Sequence, residues 1–126
     1  RVTLHLEIPD EMTSTRIVKL TLQPLIENAI QHGLAHVRSG GEIWIRGEKI
    51  DEAYYLYVSD NGKGVDDAEL ERLTKQLKDS AITGNGHIGI RNVDQRMKLV
   101  FGEEYGLALS KAPEGGLRVT LHYKTI

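Results

Sequence analysis

Alternating apolar and polar residues constrain this chain most, because the pattern recurs in each segment with strand character. In residues 116–124 every second residue is apolar, and residues 2–8 repeat the pattern. Such strands are buried on one face and are typical of a mainly antiparallel sheet that is covered on one side. Segments with helical spacing can supply the cover. We therefore predict an α+β fold, a two-layer α/β sandwich with a mixed, mainly antiparallel sheet and helices on one face.

The predicted elements follow one another closely. The half-buried strand over 2–8, with Val2, Leu4, Leu6 and Ile8 on its apolar face, leads to a loop over 10–18. A helix is then predicted from Thr21, its N-cap, to Leu34, with Pro24 in the first turn. The later elements are hairpin strands over 42–49 and 53–59, a helix from Asp66-Asp67 to about Leu77, a helix over 88–100, and hairpin strands over 105–111 and 116–124.

Size and charge limit the classes of function. With 126 residues, the chain is predicted to form one domain over 1–126, and we interpret it as a piece of a longer protein. The 16 basic and 18 acidic residues nearly balance, which argues against nucleic acid or an anionic membrane surface as the main partner. Cysteine is absent, so no disulfide framework is expected.

The segment LTLQPLIENAIQHG carries the first candidate site residues. Asn28 and His32 are four residues apart, so a helix brings them together at the edge of an apolar stripe. The amide oxygen of Asn28 suits Mg²⁺, which keeps several waters and takes one or two protein ligands beside phosphate oxygens. Glu27 can accept a proton. Asn and Glu are equally typical of a solvated helix surface. The predicted stripe comprises Leu22, Leu25, Ile26, Ala29, Ile30 and Gly33.

Two glycine-rich segments follow. In YLYVSDNGKG a β-prone strand runs into Asp60, whose carboxylate can accept a hydrogen bond from an exocyclic amine, although Asp-Asn-Gly is also an ordinary turn. Residues 79–87 form a predicted short loop before the helix that starts at 88. Bare backbone N–H groups at a helix start suit phosphate. The spacing fits neither a Walker loop nor a dinucleotide fingerprint, so the segment alone indicates a flexible loop equally well.

The order of these motifs resembles one superfamily. Glu-Asn on a helix, a strand ending in Asp-x-Gly-x-Gly, a glycine-rich loop that opens a helix, and a closing hairpin are similar to the Bergerat-fold (GHKL) ATPases and kinases. Within that superfamily, LTLQPLIENAIQHG and HIGIRNVDQRMKLVFGEEYGL resemble LytS/YesM-type sensor histidine kinases. The resemblance covers nearly all of the chain.

The resemblance implies a role for each site residue. It makes Asn28 the Mg²⁺ ligand, Glu27 the acidic base beside it, and Asp60 the acceptor of the adenine amine of ATP. Gly62 and Gly64 then form the floor of the base pocket. The phosphate side is assigned to His32, Gly86, His87, Ile88, Gly89, Arg91 and Asn92.

The resemblance also implies the activity and its setting. The expected reaction transfers the γ-phosphate of ATP to a histidine on an upstream dimerisation domain, from which a cognate response regulator takes it. None of the five histidines of this chain lies in a segment typical of that phosphoacceptor. We expect a cytoplasmic domain without direct membrane contact, in a membrane-anchored parent. An ATPase or anti-sigma-type serine kinase of the same superfamily, or a non-catalytic nucleotide-gated interaction module, remains an alternative.

Overall fold

The computed structural model describes residues 1–79 and 88–124, without the side chain of Ile88. Five strands form one sheet, and four helices and one π-helical turn accompany it in the described residues. Among the described residues, no helix has the length and apolar character needed to cross a bilayer. In chain order the elements are β1 (Val2–Glu7), α1 (Asp10–Thr13), α2 (Arg16–Asn28), a π-helical turn (Ala29–Gly33), β2 (Gly41–Ile50), β3 (Ala53–Asp60), α3 (Asp67–Lys78), α4 (Ile88–Phe101), β4 (Gly106–Lys111) and β5 (Leu117–Lys124).

The sheet has the strand order β1-β2-β3-β5-β4. β1 and β2 pair in parallel, and every other neighbouring pair is antiparallel. The predicted α+β fold with a mixed, mainly antiparallel sheet is therefore confirmed. Asp51, with φ 55°, occupies the tight turn between β2 and β3 where the hairpin was predicted.

The core lies between the sheet and the helices. Alternate residues of the three central strands face it and are fully or almost fully buried, while their neighbours form the open face of the sheet. This alternation is the one that the sequence predicts, since successive strand side chains point to opposite faces. The core residues of these strands include Ile43, Ile45, Leu56, Val58, Val119, Leu121 and Tyr123.

The helix predicted to start at Thr21 is α2, which starts five residues earlier, at Arg16, so the predicted start was wrong. The segment predicted as a loop over 10–18 contains α1 and the first turn of α2. The N-cap is Thr15, whose hydroxyl accepts a hydrogen bond from Val18 N at 3.4 Å. Thr21 lies inside the helix, where its hydroxyl donates to Ile17 O at 2.6 Å. Pro24 is also inside α2 and not in its first turn, so one helical hydrogen bond is missing there.

The apolar face predicted for β1 is only partly buried, since Val2 and Ile8 pack against the core while Leu4 and Leu6 do not. Leu4 and Leu6 are 47% and 65% exposed, although they share the sheet face of the buried Ile43 and Ile45. The reason is the position of β1 as the outermost strand, with β2 as its single neighbour in the sheet. Alternation predicted the strand and its faces correctly, but burial also depends on whether a helix reaches the edge.

Candidate functional site

Asp60 ends β3 and lies on the side of the sheet that faces the helices. The residue is 2% exposed. Its Oδ1 accepts hydrogen bonds from Gly62 N at 2.8 Å and from Leu117 N at 3.4 Å. Burial raises the pKa of Asp60, the two amides act in the opposite direction, and the nearby negative charge of Glu114 raises it further. The site therefore holds a dehydrated carboxylate whose stabilisation as an anion is incomplete.

Both amides that reach Asp60 bond to Oδ1. Within the part of the chain that the structure describes, no group donates a hydrogen bond to Oδ2. Oδ2 is not one of the fully buried side-chain atoms that lack a partner, so it keeps some accessible surface. A ligand that brings an N–H group would supply the missing donor.

Three glycines let the backbone close around this carboxylate. A Cβ atom on Gly33 would lie 2.6 Å from Asp60 Cγ, and one on Gly116 would lie 2.8 Å from the carbonyl carbon of Asp60. A Cβ on Gly62 would lie 2.5 Å from the carbonyl carbon of Gly33. Larger residues therefore do not fit at these positions. The sequence analysis placed Gly62 at the site but missed Gly33 and Gly116, which approach Asp60 from distant parts of the chain.

A π-helical turn brings the end of the α2 segment to Asp60. Leu34 N donates to Ala29 O at 2.9 Å, and Lys63 N donates to Gly33 O at 3.4 Å. Such wide turns are rare in proteins, and those that do occur are often found at functional sites. The apolar stripe was predicted from the angle between successive residues of an α-helix, and a π-helical turn has a smaller angle. Ile30 is accordingly 42% exposed and not part of the buried face. Asn28, the last residue of α2, is buried, and His32 is half-buried.

A cavity of about 220 Å³ is lined by Gly33 and Leu117, two residues that contact Asp60, whereas Asp60 and Asn28 themselves do not line it. The end of the π-helical turn, the loop after β3, one side of α3 and the start of β5 form its walls. The volume lies below the roughly 300–1,000 Å³ of typical ligand pockets, and residues 80–87 are not among the described walls. The lining residues are His32, Gly33, Lys63, Gly64, Val65, Glu69, Arg72, Leu73 and Leu117.

The contribution of α3 was missed in the sequence analysis, which predicted a solvated helix face. Arg72 donates from Nε and from its terminal nitrogen to Glu69, at 2.9 and 2.6 Å, and both side chains line the cavity. A signal was present, because α3 begins a few residues after the loop that contains Gly62 and Gly64. Because α3 starts so close to this loop, one side of the helix must face the loop.

The other predicted site residues lie as follows. Glu27 is exposed, and its Oε2 accepts a hydrogen bond from Gln23 at 3.1 Å. Gly89 and Asn92 are exposed on the first turns of α4. Arg91 is buried and lines a small second cavity together with residues of α3. Gly86 and His87 lie outside the described residues, as does the side chain of Ile88, so the assignments there stay predictions.

The donor set fits a nucleotide with Mg²⁺ better than a metal held by protein alone. Within residues 1–79 and 88–124, no three His, Asp or Glu side chains gather as a metal site. The amide of Asn28 is a hard oxygen donor, which suits an ion that takes its other ligands from water and phosphate. Gly33, Gly62 and Gly116 bring the backbone into close contact with Asp60 and its neighbours, so the carboxylate lies between backbone segments and not beside bulky side chains.

Comparison with known proteins gives consistent matches. The sequence model of the family described as histidine kinase-, DNA gyrase B-, and HSP90-like ATPase matches residues 13–125. The chain is 38% identical over 121 residues to the sensor histidine kinase YesM of Bacillus subtilis (strain 168), which covers 96% of this chain and 19% of that protein. It is 32% identical over 118 residues to the sensor protein LytS of Oceanobacillus iheyensis, which covers 93% of this chain and 20% of that protein. The chain thus spans about a fifth of the length of these relatives.

Solved structures share the fold. The catalytic domain of the histidine kinase ThkA, in a nucleotide-free form, superimposes with a TM-score of 0.71 at 17% identity, covering 98% of this chain and 80% of that one. The ATP-binding domain of PrrB from Mycobacterium tuberculosis gives a TM-score of 0.60 at 19% identity, covering 98% of this chain and 81% of that one. At such identities the likeness shows the shared architecture.

Proposed function

Because the chain belongs to the family of histidine kinase-, DNA gyrase B- and HSP90-like ATPases, we propose that it is the ATP-binding catalytic domain of a sensor histidine kinase. The domain binds ATP with Mg²⁺ and presents the γ-phosphate to a histidine on a dimerisation domain elsewhere in the parent protein. The curated relatives bear the names of sensor kinases, which favours this class over an ATPase or an anti-sigma-type serine kinase of the same superfamily.

The observation that carries the proposal is the buried carboxylate of Asp60. Its Oδ1 is held by two backbone amides, while Oδ2 receives no hydrogen bond within the described residues. The exocyclic amine of adenine is a donor that matches Oδ2, whereas guanine presents a carbonyl oxygen at the equivalent ring position. A site built to receive a hydrogen bond rejects ligands that lack the donor. We therefore expect ATP to bind in preference to GTP.

The phosphate side of the site is assigned to the α2 segment and to the start of α4. Asn28 would hold Mg²⁺ through its side-chain oxygen, and His32, four residues further along the chain, lines the cavity. Bare N–H groups at the start of α4, where Gly89 is exposed, suit phosphate oxygens. Gly86, His87 and Ile88 precede this helix start, and Arg91 and Asn92 follow it.

Phosphoryl transfer depends mainly on positioning and charge neutralisation. When bound, Mg²⁺ supplies positive charge to the phosphate oxygens. Asp60 fixes the base, so the distance from Asp60 to the phosphate site sets where the γ-phosphate points. Glu27 is exposed and adjacent to Asn28 in the sequence, and its carboxylate is the group that we assign as acceptor of the proton from the incoming histidine.

The partners in this proposal lie outside the chain. The acceptor histidine belongs to a dimerisation domain of the parent protein, and a response regulator then receives the phosphate on an aspartate. The names of the relatives as sensor proteins support a parent that is anchored in the membrane, with this domain on the cytoplasmic side.

Calorimetric titration with Mg²⁺ and ATP tests the proposal directly. We expect the isolated domain to bind ATP, and Asn28→Ala to abolish the Mg²⁺-dependent part of the affinity while adenosine binding stays unchanged. Gln31→Ala, an exposed position in the same segment, is the matched control and should bind ATP as the unmodified domain does. Urea unfolding of each variant separates a lost ligand from a lost fold, since Asn28 is buried.

A second experiment separates the kinase from its alternatives. The domain is joined to a helical bundle that bears a phosphoacceptor histidine and is incubated with labelled ATP. We expect acid-labile label on the bundle and none on the isolated domain. ATP binding without transfer to the bundle would favour a nucleotide-gated interaction module, and absence of any ATP binding would refute the proposed function.

A further inference from the structure

Arg46 joins two distant parts of the chain on the open face of the sheet, opposite the cavity. Its terminal nitrogen lies 2.8 Å from Oε2 of Glu114, in the turn between β4 and β5. Its Nε lies 3.4 Å from Oε1 of Glu7, on the neighbouring strand β1. The Arg46–Glu114 pair is partly shielded from water, because the two side chains are 33% and 17% exposed. A glutamate in a turn with so little exposure is held against the sheet.

The same turn contacts Asp60 on its other side. Gly116 N donates to the backbone oxygen of Asp60 at 3.1 Å, and Leu117 N donates to its Oδ1 at 3.4 Å. The carbonyl oxygen of Gly115 packs so closely on Gly64 that a Cβ atom there would collide with it. The turn thus lies between the open face of the sheet and Asp60, and Leu117, the residue that follows it, lines the cavity.

We propose that Arg46 is a positioning residue for adenine binding, because its ion pair with Glu114 holds the β4–β5 turn where Gly116 and Leu117 reach Asp60. The inference rests on the proposed function, since it concerns the carboxylate assigned to adenine. Arginine suits the task because its planar fork reaches two carboxylates at once, one on each side of β2. Charge on the far face of the sheet therefore controls the geometry of a cavity that Arg46 does not touch.

Binding measurements on paired variants test this inference. Arg46→Gln and Glu114→Gln are each expected to raise the Kd for ATP about three- to tenfold, because a partly shielded ion pair contributes more than an exposed pair and less than a fully buried charged hydrogen bond. The Kd for adenosine should rise by the same factor, because the turn borders the base and not the phosphates. The double variant should bind no more weakly than the worse single variant, since both changes remove one interaction.

Lys111→Gln is the matched control. Lys111 ends β4, at the entrance to the same turn, and its Nζ pairs with Asp67 Oδ1 at 2.7 Å in an exposed position. Loss of this pair should leave the Kd for ATP within about twofold, because exposed ion pairs contribute little. Glu7→Gln removes only the second contact of Arg46 and should likewise leave binding nearly unchanged. A loss of affinity in Lys111→Gln equal to that in Arg46→Gln would overturn the inference.

The ionisation of Asp60 gives a second readout that needs no nucleotide. Glu114 is the charged side chain that raises the pKa of Asp60, and Arg46 partly neutralises it. The Leu117 amide lowers this pKa, so release of the turn, which withdraws that amide, raises it, and in Arg46→Gln the unpaired charge of Glu114 acts in the same direction. Followed by carboxyl ¹³C NMR, the pKa of Asp60 should therefore rise in Arg46→Gln, whereas in Glu114→Gln the loss of the negative charge opposes this rise. An unchanged pKa of Asp60 in Arg46→Gln would refute the positioning role.

The possible failures point to different conclusions. Absence of ATP binding in the unmodified domain refutes the proposed function, while the pKa of Asp60 in Arg46→Gln still decides whether the ion pair is coupled to Asp60. Normal ATP binding with no effect of Arg46→Gln refutes the inference alone. If Arg46→Gln does not fold, the exchange of the two residues, Arg46→Glu with Glu114→Arg, decides: recovery of ATP affinity relative to Glu114→Arg supports the pair, and no recovery refutes it.

Discussion

Replacement of Asp60 by Asn should weaken ligand binding and stabilise the fold at the same time. The two side chains have nearly the same shape, and the amide oxygen of Asn can still accept the hydrogen bonds from Gly62 and Leu117. The substitution removes the negative charge and, at the position of Oδ2, replaces an acceptor by a donor. An adenine amine then faces another donor.

The loss of affinity follows from the bond that disappears. A hydrogen bond to a charged group contributes about 1.5–3 kcal/mol, which corresponds to roughly a 10- to 150-fold increase in Kd. Adenosine and ATP should lose the same amount, because the change is confined to the base. An effect on ATP alone would place Asp60 on the phosphate side of the site.

The gain in stability follows from the pKa of Asp60. Burial raises this pKa in the folded state above the unfolded value of 3.8, so the folded protein binds the proton more tightly. The free energy of unfolding of the unmodified domain therefore decreases as pH rises through the interval from 3.8 to the raised pKa, and stays lower above it. Asn has no such proton to lose. Asp60→Asn should be the more stable protein at pH 7, and its advantage should shrink as the pH is lowered below that interval.

Calorimetry with adenosine and ATP at pH 7, together with urea unfolding at pH 7 and at about pH 3.5, measures both effects. Asp60→Ala is a useful comparison, because it also removes the acceptor of two backbone amides and should destabilise the fold. Unchanged adenosine binding in Asp60→Asn would refute the assignment of the base. Equal destabilisation by Asp60→Asn at both pH values would refute the argument that the ionised carboxylate of Asp60 lowers the free energy of unfolding.

Two further predictions concern buried polar contacts. Asp94→Ala should lower the free energy of unfolding by about 2–4 kcal/mol in urea, because Asp94 Oδ1 accepts from buried Leu107 N at 2.8 Å and pairs with Lys98 at 3.2 Å. Asp94→Asn, which keeps the acceptor, should cost about half of that, and a loss below about 1 kcal/mol in Asp94→Ala would contradict this reading. Gly33→Ala should abolish adenosine binding in calorimetry while the circular dichroism spectrum is retained, because its Cβ would displace the Asp60 carboxylate; unchanged affinity would show that the contact is dispensable.

The sequence predicted the sheet and the position of Asp60 at the end of a strand for the same reason. Period-two alternation in β2, β3 and β5 is a local property, and it fixes which side chains share a face wherever the strands pair. The run after β3 combines a carboxylate with glycines in a segment that has to turn, so Asp60 and Gly62 could be selected before any contact was known. The α+β fold and the place of Asp60 at the end of a strand followed from these short patterns.

Local signals were insufficient where two residues offered the same chemistry. Thr15 and Thr21 are both plausible N-caps, and the structure uses Thr15, whose hydroxyl also lies 3.2 Å from the hydroxyl of Tyr123 on β5. That contact joins residues far apart in the chain, and no window of sequence contains it. The exposure of Leu6 on β1 has a similar origin, since an edge position is a property of the whole sheet.

By itself, the sequence determined the periods of the helices and strands, the sharp turn after Asp60 and the order of the motifs along the chain. Only the tertiary structure decided that a π-helical turn presses Gly33 against Asp60, that Glu69 and Arg72 line the cavity, and that Arg46 reaches the β4–β5 turn. The physical reason is range. Backbone periodicity and turn chemistry act over a few residues, whereas close approaches and ion pairs depend on which surfaces meet when the sheet and the helices pack together.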